Sequence, residues 1–382
     1  MINVKGRGMA RKPGREREGD FTAAEYAARR KAYRSLMAGE GLEGLLLTRL
    51  SDIRYLCGFS GSSGMVLLLA RRGYLLTDFR YREQAALEVT GMELVIVEGD
   101  YGEALRNLVK GRGLGKIGFD PAAASYAEVL AWRRKLRGEV ALSAVKGRLD
   151  ATRARKSENE LRRLREGVRI AEEAFRRALR KASSSLKELE LAARIDYEAR
   201  CLGAEGPSFE TIVASGGRAA MVHARPAAEA AKGVTVIDWG VSFRGYRTDM
   251  TRTVALGGVP GELKRAHRLV LEARLEALEK VRPGVRAGEV DSAAREVIEK
   301  GGYGWAFGHG LGHGVGLEVH ERPVLGKGST DVLEEGMVFT VEPGIYIPGI
   351  GGVRVEDMVL VKGDGAEVLT GLPLSMDIVD YL

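Results

Sequence analysis

Four acidic residues, arranged as two pairs, carry the chemistry of this sequence. Asp238 and Asp249 stand in VTVIDWGVSFRGYRTDMTRTV, and Glu342 and Glu356 in FTVEPGIYIPGIGGVRVEDMV. Each pair flanks the signature of a β-hairpin. The midpoint of the first pair falls between Phe243 and Arg244, and that of the second on Gly349. A hairpin that turns at its midpoint sets its two acids opposite one another, with Cβ atoms roughly 5 Å apart on one face. Two buried like charges at that distance repel strongly. Folding alone does not favour such a pair, and its repetition calls for a bound cation.

Between the pairs runs Phe307-Gly308-His309-Gly310-Leu311-Gly312-His313-Gly314-Val315-Gly316-Leu317-Glu318-Val319-His320-Glu321, with three of the five histidines of the chain. Its glycines exclude a regular helix, because each costs about 1 kcal/mol relative to Ala. They predict a backbone that passes close to something in unusual dihedrals. One of these histidines can add an imidazole to the carboxylates. Such a hard, oxygen-rich set with one nitrogen suits Mn, Co, Fe or Zn, with Mn or Co favoured, and not a thiolate-seeking ion. Two divalent ions balance four carboxylates, whereas one leaves the cluster over-charged.

The elements that must position these residues fall into two halves. From Phe21 to about Leu149, helix and strand signals alternate: a helix over 22–39, strands over 43–48, 64–69 and 74–77, a helix over 81–89, strands over 93–97 and 116–119, and a helix over 126–137. This alternation predicts an α/β domain over 21–150 with a parallel or mixed sheet. Gly58-Phe59-Ser60-Gly61-Ser62-Ser63-Gly64 is glycine-rich, but it lacks P-loop spacing and no Lys follows. Ser157-Glu158-Asn159-Glu160 is a capping box that opens the second half, 151–382, with a helix to about Ala182. Further helices are predicted over 187–202, 262–281 and 289–300. The acid-bearing strands lie between and after them, which predicts an α+β domain with one antiparallel sheet and helices packed outside it.

Bulk properties narrow the setting. The chain has 382 residues, 45% hydrophobic and 29% charged, the balance of an ordinary globular protein. No apolar run approaches the ~20 residues that span a bilayer. Two cysteines, Cys57 and Cys201, form no disulfide framework, so a cytoplasmic setting is expected. Residues 1–20 hold six Lys/Arg against three acids and no apolar core. They read as a disordered basic leader rather than a secretory signal, with Met9 an alternative start. The net charge of +7 comes with no nucleic-acid-binding motif, and Arg residues elsewhere alternate with Glu as on a solvated helix face. Neither a nucleic-acid nor a membrane partner is expected.

With these residues in view, the sequence resembles the metallopeptidase family of Xaa-Pro dipeptidases (prolidases) and aminopeptidase P. Five spaced motifs carry the resemblance: Ser208–Gly216, Val222-His223-Ala224-Arg225-Pro226, the Asp238/Asp249 hairpin, His309–Glu321, and Val341-Glu342-Pro343-Gly344 with Val353-Arg354-Val355-Glu356-Asp357. Ile53–Gly61 and Thr77-Asp78-Phe79-Arg80-Tyr81 look like the creatinase-type N-terminal domain of this branch. The resemblance implies a pseudo-symmetric pita-bread catalytic domain, proline-containing peptides as substrates and a homodimer. It implies that Asp238 chelates one metal, Asp249 and Glu356 bridge two, and His313 and Glu342 bind the other. His223, His309 and His320 would be non-ligand histidines around the substrate, and Arg354 would brace the ligand carboxylates beside it.

In the reaction so implied, two metals share a water, lower its pKa and present hydroxide to the carbonyl of the Xaa-Pro bond. Glu342 takes the proton and passes it to the leaving nitrogen. His320 donates to the oxyanion, His223 positions the proline side, and His309 either supports the site or touches substrate. The scissile bond is a tertiary amide without N–H, so recognition must read ring shape and the nearby carbonyl. Some prolidases carry an Arg just after His-Glu-x-Pro to hold a dipeptide carboxylate. Val324 stands there, with Arg322 two residues earlier, which leaves open dipeptides or longer peptides. The alternatives are a methionine aminopeptidase-type exopeptidase, against which the N-terminal domain and the His223 segment argue, and a non-catalytic peptide-binding module on the same fold. The fifth histidine, His267, falls on an amphipathic helix as a surface or packing residue.

Overall fold

The computed structural model of the protein describes residues 21–146, 149–180 and 185–382. The expected basic leader over 1–20 lies outside the described residues. The chain forms two compact units that part between Thr152 and Arg153.

In the first unit, helices α1 (Ala23–Gly39), α2 (Leu50–Cys57), α3 (Arg82–Glu88), α4 (Tyr101–Val109) and α5 (Tyr126–Lys135) accompany strands β1 (Gly44–Leu47), β2 (Met65–Leu69), β3 (Gly73–Asp78), β4 (Glu93–Val97), β5 (Lys116–Phe119) and β6 (Ala141–Ala144). The strands form one sheet in the order β4-β3-β2-β1-β5-β6. The β1–β2 and β2–β3 pairs are antiparallel, and β3–β4, β1–β5 and β5–β6 are parallel. The unbroken apolar run of β1 is buried along its whole length, as a central strand covered on both faces must be. Reciprocal capping boxes at Thr22/Glu25 and Ser125/Glu128 start α1 and α5. The sequence reading omits α2, α4 and β6. Of these, α4 does carry a helical period, with Tyr101, Ala104, Leu105, Leu108 and Val109 at i, i+3, i+4, i+7 and i+8 packed in or against the core.

The second unit holds helices α6 (Glu158–Arg180), α7 (Glu188–Cys201), α8 (Gly261–Lys280) and α9 (Ala287–Lys300). Its strands are β7 (Gly206–Pro207), β8 (Ile212–Ser215), β9 (Gly233–Trp239), β10 (Val241–Phe243), β11 (Tyr246–Arg247), β12 (Met250–Leu256), β13 (Gly312–Gly314), β14 (Glu321–Leu325), β15 (Val338–Val341), β16 (Gly344–Ile347), β17 (Gly351–Arg354), β18 (Asp357–Lys362) and β19 (Gly365–Val368). The expected cap on α6 is present: Ser157 N donates to Glu160 Oε2 at 2.9 Å, and Glu160 N to Ser157 Oγ at 3.4 Å.

The single antiparallel sheet expected here is replaced by four ladders: β12-β9-β8, β11-β10-β7, β14-β13-β15-β18-β19 and β16-β17. The ladders break where the acids stand. The first hairpin is interrupted at Gly240, where a Cβ would lie 1.8 Å from Thr248 O. The second is interrupted at Pro343, which has no N–H to give to a ladder. Behind the first break, Trp239 stacks on Phe175 of α6 with ring centroids 4.1 Å apart, and its Nε1 donates to Ala171 O at 3.0 Å. This contact seats the end of β9, and with it Asp238, against the helix layer.

Candidate metal centre

The two hairpins differ in register. In the second, β16 pairs with β17 from Gly344↔Arg354 to Ile347↔Gly351, and β15 pairs with β18 in the same register through Val341↔Asp357. Val355 N donates to Pro343 O between the two ladders. Glu342 and Glu356 therefore stand opposite one another, and the turn centres on Gly349 with φ 78°. In the first hairpin, β9 pairs with β12 as Asp238↔Thr251 and Trp239↔Met250. The expected opposition of Asp238 and Asp249 is corrected: the turn lies at Arg244 and Gly245, with φ 48° and 82°. Successive positive φ values make this a hairpin turn of the primed type. Asp249 lies two positions off the direct partner of Asp238, a diagonal neighbour.

A third pairing joins the hairpins. Thr251 and Glu356 form an antiparallel bridge, with Glu356 N donating to Thr251 O at 3.1 Å. Thr251 Oγ1 donates to Glu356 Oε2 at 2.7 Å and accepts from Arg354 Nε at 3.0 Å. Arg354 Nη2 reaches Asp238 Oδ2 at 2.7 Å. All four acids thus line one seam. Asp238, Asp249 and Glu356 are buried, and the Glu342 side chain is 18% exposed.

The glycine-rich segment supplies the imidazole. His313, on β13, brings Nε2 to 3.6 Å from both Asp249 Oδ2 and Glu342 Oε1. Its neighbours had to be glycine: a Cβ on Gly312 would lie 1.9 Å from Thr340 O, and one on Gly314 would lie 2.0 Å from Arg322 O. His313 Nδ1 lies 3.1 Å from Gly314 O. With Nδ1 protonated and donating there, Nε2 turns a lone pair toward two carboxylates. Burial, with His320 adjacent, pushes His313 down to about 4, so it is neutral near pH 7. A lone pair facing ionised carboxylates is matched by a cation between them.

The acids carry the same signature. Burial, then the charges of Glu356, Asp238 and Glu342, hold Asp249 well above the usual carboxylate range. Burial and the neighbouring carboxylates do the same to Glu356, and burial raises Asp238 despite Arg354. Burial first, with Asp238 adding to it, pushes Glu342 up to about 8. Asp238 Oδ1 is buried without a hydrogen-bond partner, a costly state for a carboxylate oxygen unless an ion meets it. One ligand atom from each of Asp249, His313 and Glu356 lies within 4.8 Å of the others. Asp238 and Glu342 flank this triad, so the donor set could hold a hard divalent ion or a pair of them.

Around the acids, His309 Nε2 lies 3.0 Å from the Tyr346 hydroxyl, and its Nδ1 lies 2.7 Å from Gly310 O. Tyr346 also accepts from Arg354 Nη1 at 2.9 Å. Burial pushes His309 down to about 4 and Tyr346 up to about 12. Both nitrogens of His309 are therefore engaged by the protein itself. His320 and His223 are exposed, and the His320 ring packs edge-on to His313 at 4.2 Å between centroids. Arg354 is buried among Asp238, Thr251 and Tyr346. His267 is buried on α8 with Nε2 unpartnered. Sequence reasoning missed Thr251 and Tyr346. Thr251 becomes visible only once the register sets it opposite Asp238.

Known proteins place this architecture. The model of metallopeptidase family M24 matches residues 162–363, and that of the creatinase/prolidase N-terminal domain matches 29–155. The uncharacterized peptidase YqhT of Bacillus subtilis is 34% identical over 348 residues, 91% of this chain and 98% of that protein. Among solved structures, the Xaa-Pro dipeptidase from Bacillus anthracis superposes with a TM-score of 0.87 at 37% identity, covering 93% of this chain and 99% of that one. The X-Pro aminopeptidase from Thermotoga maritima gives 0.81 at 36% identity, covering 88% and 97%. The two-domain pita-bread architecture is therefore that of this protein, which belongs to metallopeptidase family M24 and carries the creatinase/prolidase type of N-terminal domain.

Proposed function

We propose that this protein hydrolyses the Xaa-Pro bond at the N-terminus of peptides with the help of two divalent ions. Asp238, Asp249, His313, Glu342 and Glu356 are the residues that would hold them. The observation that carries this reading is His313 Nε2 aimed at two carboxylates within a set of four acids, three of them buried. The names borne by the similar Bacillus anthracis and Thermotoga maritima structures support the prolyl substrate. Divalent ions bound there lower the pKa of water toward neutrality and polarise the scissile carbonyl.

The chain's own groups supply the rest. Glu342, the most exposed of the acids, carries the proton from water to the leaving nitrogen. His320 donates to the developing oxyanion, and His223 receives the proline side. His309, with both nitrogens engaged, acts by holding Tyr346 and Arg354 in place. Arg322 is paired with Asp331 and Val324 is exposed. Neither is then set to clamp the carboxylate of a dipeptide, so longer peptides are accepted alongside dipeptides.

The test is a panel of Gly-Pro, Ala-Pro, Ala-Pro-Gly and Met-Ala-Ser with chelated enzyme and added Mn or Co. Cleavage of the prolyl peptides only after metal addition is expected. Full-rate cleavage by the chelated enzyme, or preference for Met-Ala-Ser, would reject the reading.

A further inference from the structure

Outside the acid cluster, the second unit buries another carboxylate completely. Glu188, in the first turn of α7, is 0% exposed. Its Oε1 accepts from Ser215 N at 2.7 Å, and its Oε2 accepts from Ala227 N at 2.9 Å and Arg218 Nε at 3.2 Å. Ser215 and Ala227 bound the stretch of chain that carries His223. Arg218, inside that stretch, also donates to Arg225 O. The helix adds its own first amides: Glu188 N donates to Glu229 O at 3.0 Å, and Leu189 N to Ala227 O at 3.1 Å. One carboxylate therefore gathers both ends of the His223 segment.

The same segment rests on the metal-centre hairpin. A Cβ on Gly352 of β17 would lie 2.0 Å from Ala219 O, so only glycine admits this backbone approach. Val222 O lies 3.5 Å from Arg354 Nη1. The segment is thus seated on β17 beside the acids and tied down at both ends, with His223 exposed between the ties.

We infer that Glu188 is a positioning residue, which closes the 215–227 segment so that His223 is held over the substrate's prolyl side. The inference rests on the reading of His223 as a substrate contact. Two backbone N–H groups and a guanidinium need an acceptor with two anionic oxygens. An amide supplies one acceptor and turns its NH2 toward the remaining donors. Loosening the segment takes away binding shared by ground and transition states, which raises KM and leaves kcat.

The test uses the full-length, metal-loaded enzyme on Ala-Pro-Gly, together with amide hydrogen exchange. Glu188→Gln is expected to raise KM about tenfold with kcat changed less than about threefold. It is also expected to speed exchange at the Ser215 and Ala227 amides. In the His223→Ala background, Glu188→Gln should add no further loss, because its effect runs through His223. Additive losses, or unchanged exchange at Ser215 and Ala227, would overturn the clamp. An unchanged KM in His223→Ala alone would instead overturn the substrate reading of His223, and the functional half of the inference with it. If Glu188→Gln does not fold, Arg218→Met removes one tie and should raise KM in the same direction by a smaller factor. An unchanged KM there would count against the proposal.

Discussion

Thr251 and Glu356 meet twice across the seam between the two hairpins, once through the backbone at 3.1 Å and once through Thr251 Oγ1 to Glu356 Oε2 at 2.7 Å. Thr251 also faces Asp238 across the β9–β12 ladder. One small hydroxyl thus orients an acid from each hairpin, directly in one case and through Arg354 in the other. Thr251→Val keeps the shape and deletes the donor, leaving a buried carboxylate oxygen unmatched at about 1–3 kcal/mol. Metal affinity should fall about tenfold or more. Calorimetric titration with Mn checks this, and an unchanged affinity would show that Thr251 does not orient Glu356.

Glu342→Gln keeps the volume and one acceptor oxygen while removing the group that carries a proton. The variant should fold normally and lose about a hundredfold or more in kcat. Circular dichroism and steady-state rates on Ala-Pro test it, and a rate near that of the parent would remove Glu342 from proton transfer.

Metal removal should destabilise the protein in a pH-dependent way. Glu342 is pushed up to about 8 when no cation faces it, while an unfolded Glu titrates near 4.3. The metal-free folded state therefore holds a proton that the unfolded chain releases. The stability tied to that proton is fully present below the unfolded value and is lost as pH rises through the folded one. The gap in Tm between Mn-loaded and chelated protein should widen from about pH 5.5 to about pH 8. Differential scanning fluorimetry across this range decides, and a gap that does not vary with pH would argue against ionised carboxylates as the ligands.

His267 is buried on α8 and belongs to no part of the acid seam. His267→Ala should cost about 1–2 kcal/mol of stability through lost packing and leave kcat/KM within about twofold of the parent. A large loss of activity at unchanged stability would mean that the site extends into the helix layer.

Local chemistry made much of this legible in advance. The capping box at Ser157/Glu160 and the turn at Gly349 are determined within a few residues, so the start of α6 and the register of the second hairpin could be read from neighbours. The first hairpin misled because Arg244 and Gly245 turn the chain one residue later than the midpoint of the acids, which moves Asp249 off the position opposite Asp238. The helix α4 was legible although the sequence reading omits it: Tyr101, Ala104, Leu105, Leu108 and Val109 repeat at helical spacing and form its core face.

The sequence by itself set out the candidate donors: four acids in two pairs and, between them, three histidines in a glycine-rich segment. Only the tertiary structure decided how the hairpins meet. The Thr251–Glu356 bridge, the reach of Arg354 to Asp238 and the grip of Glu188 on the His223 segment join residues distant along the chain. Such contacts are fixed by how sheets and helices pack in three dimensions, and no local pattern encodes them.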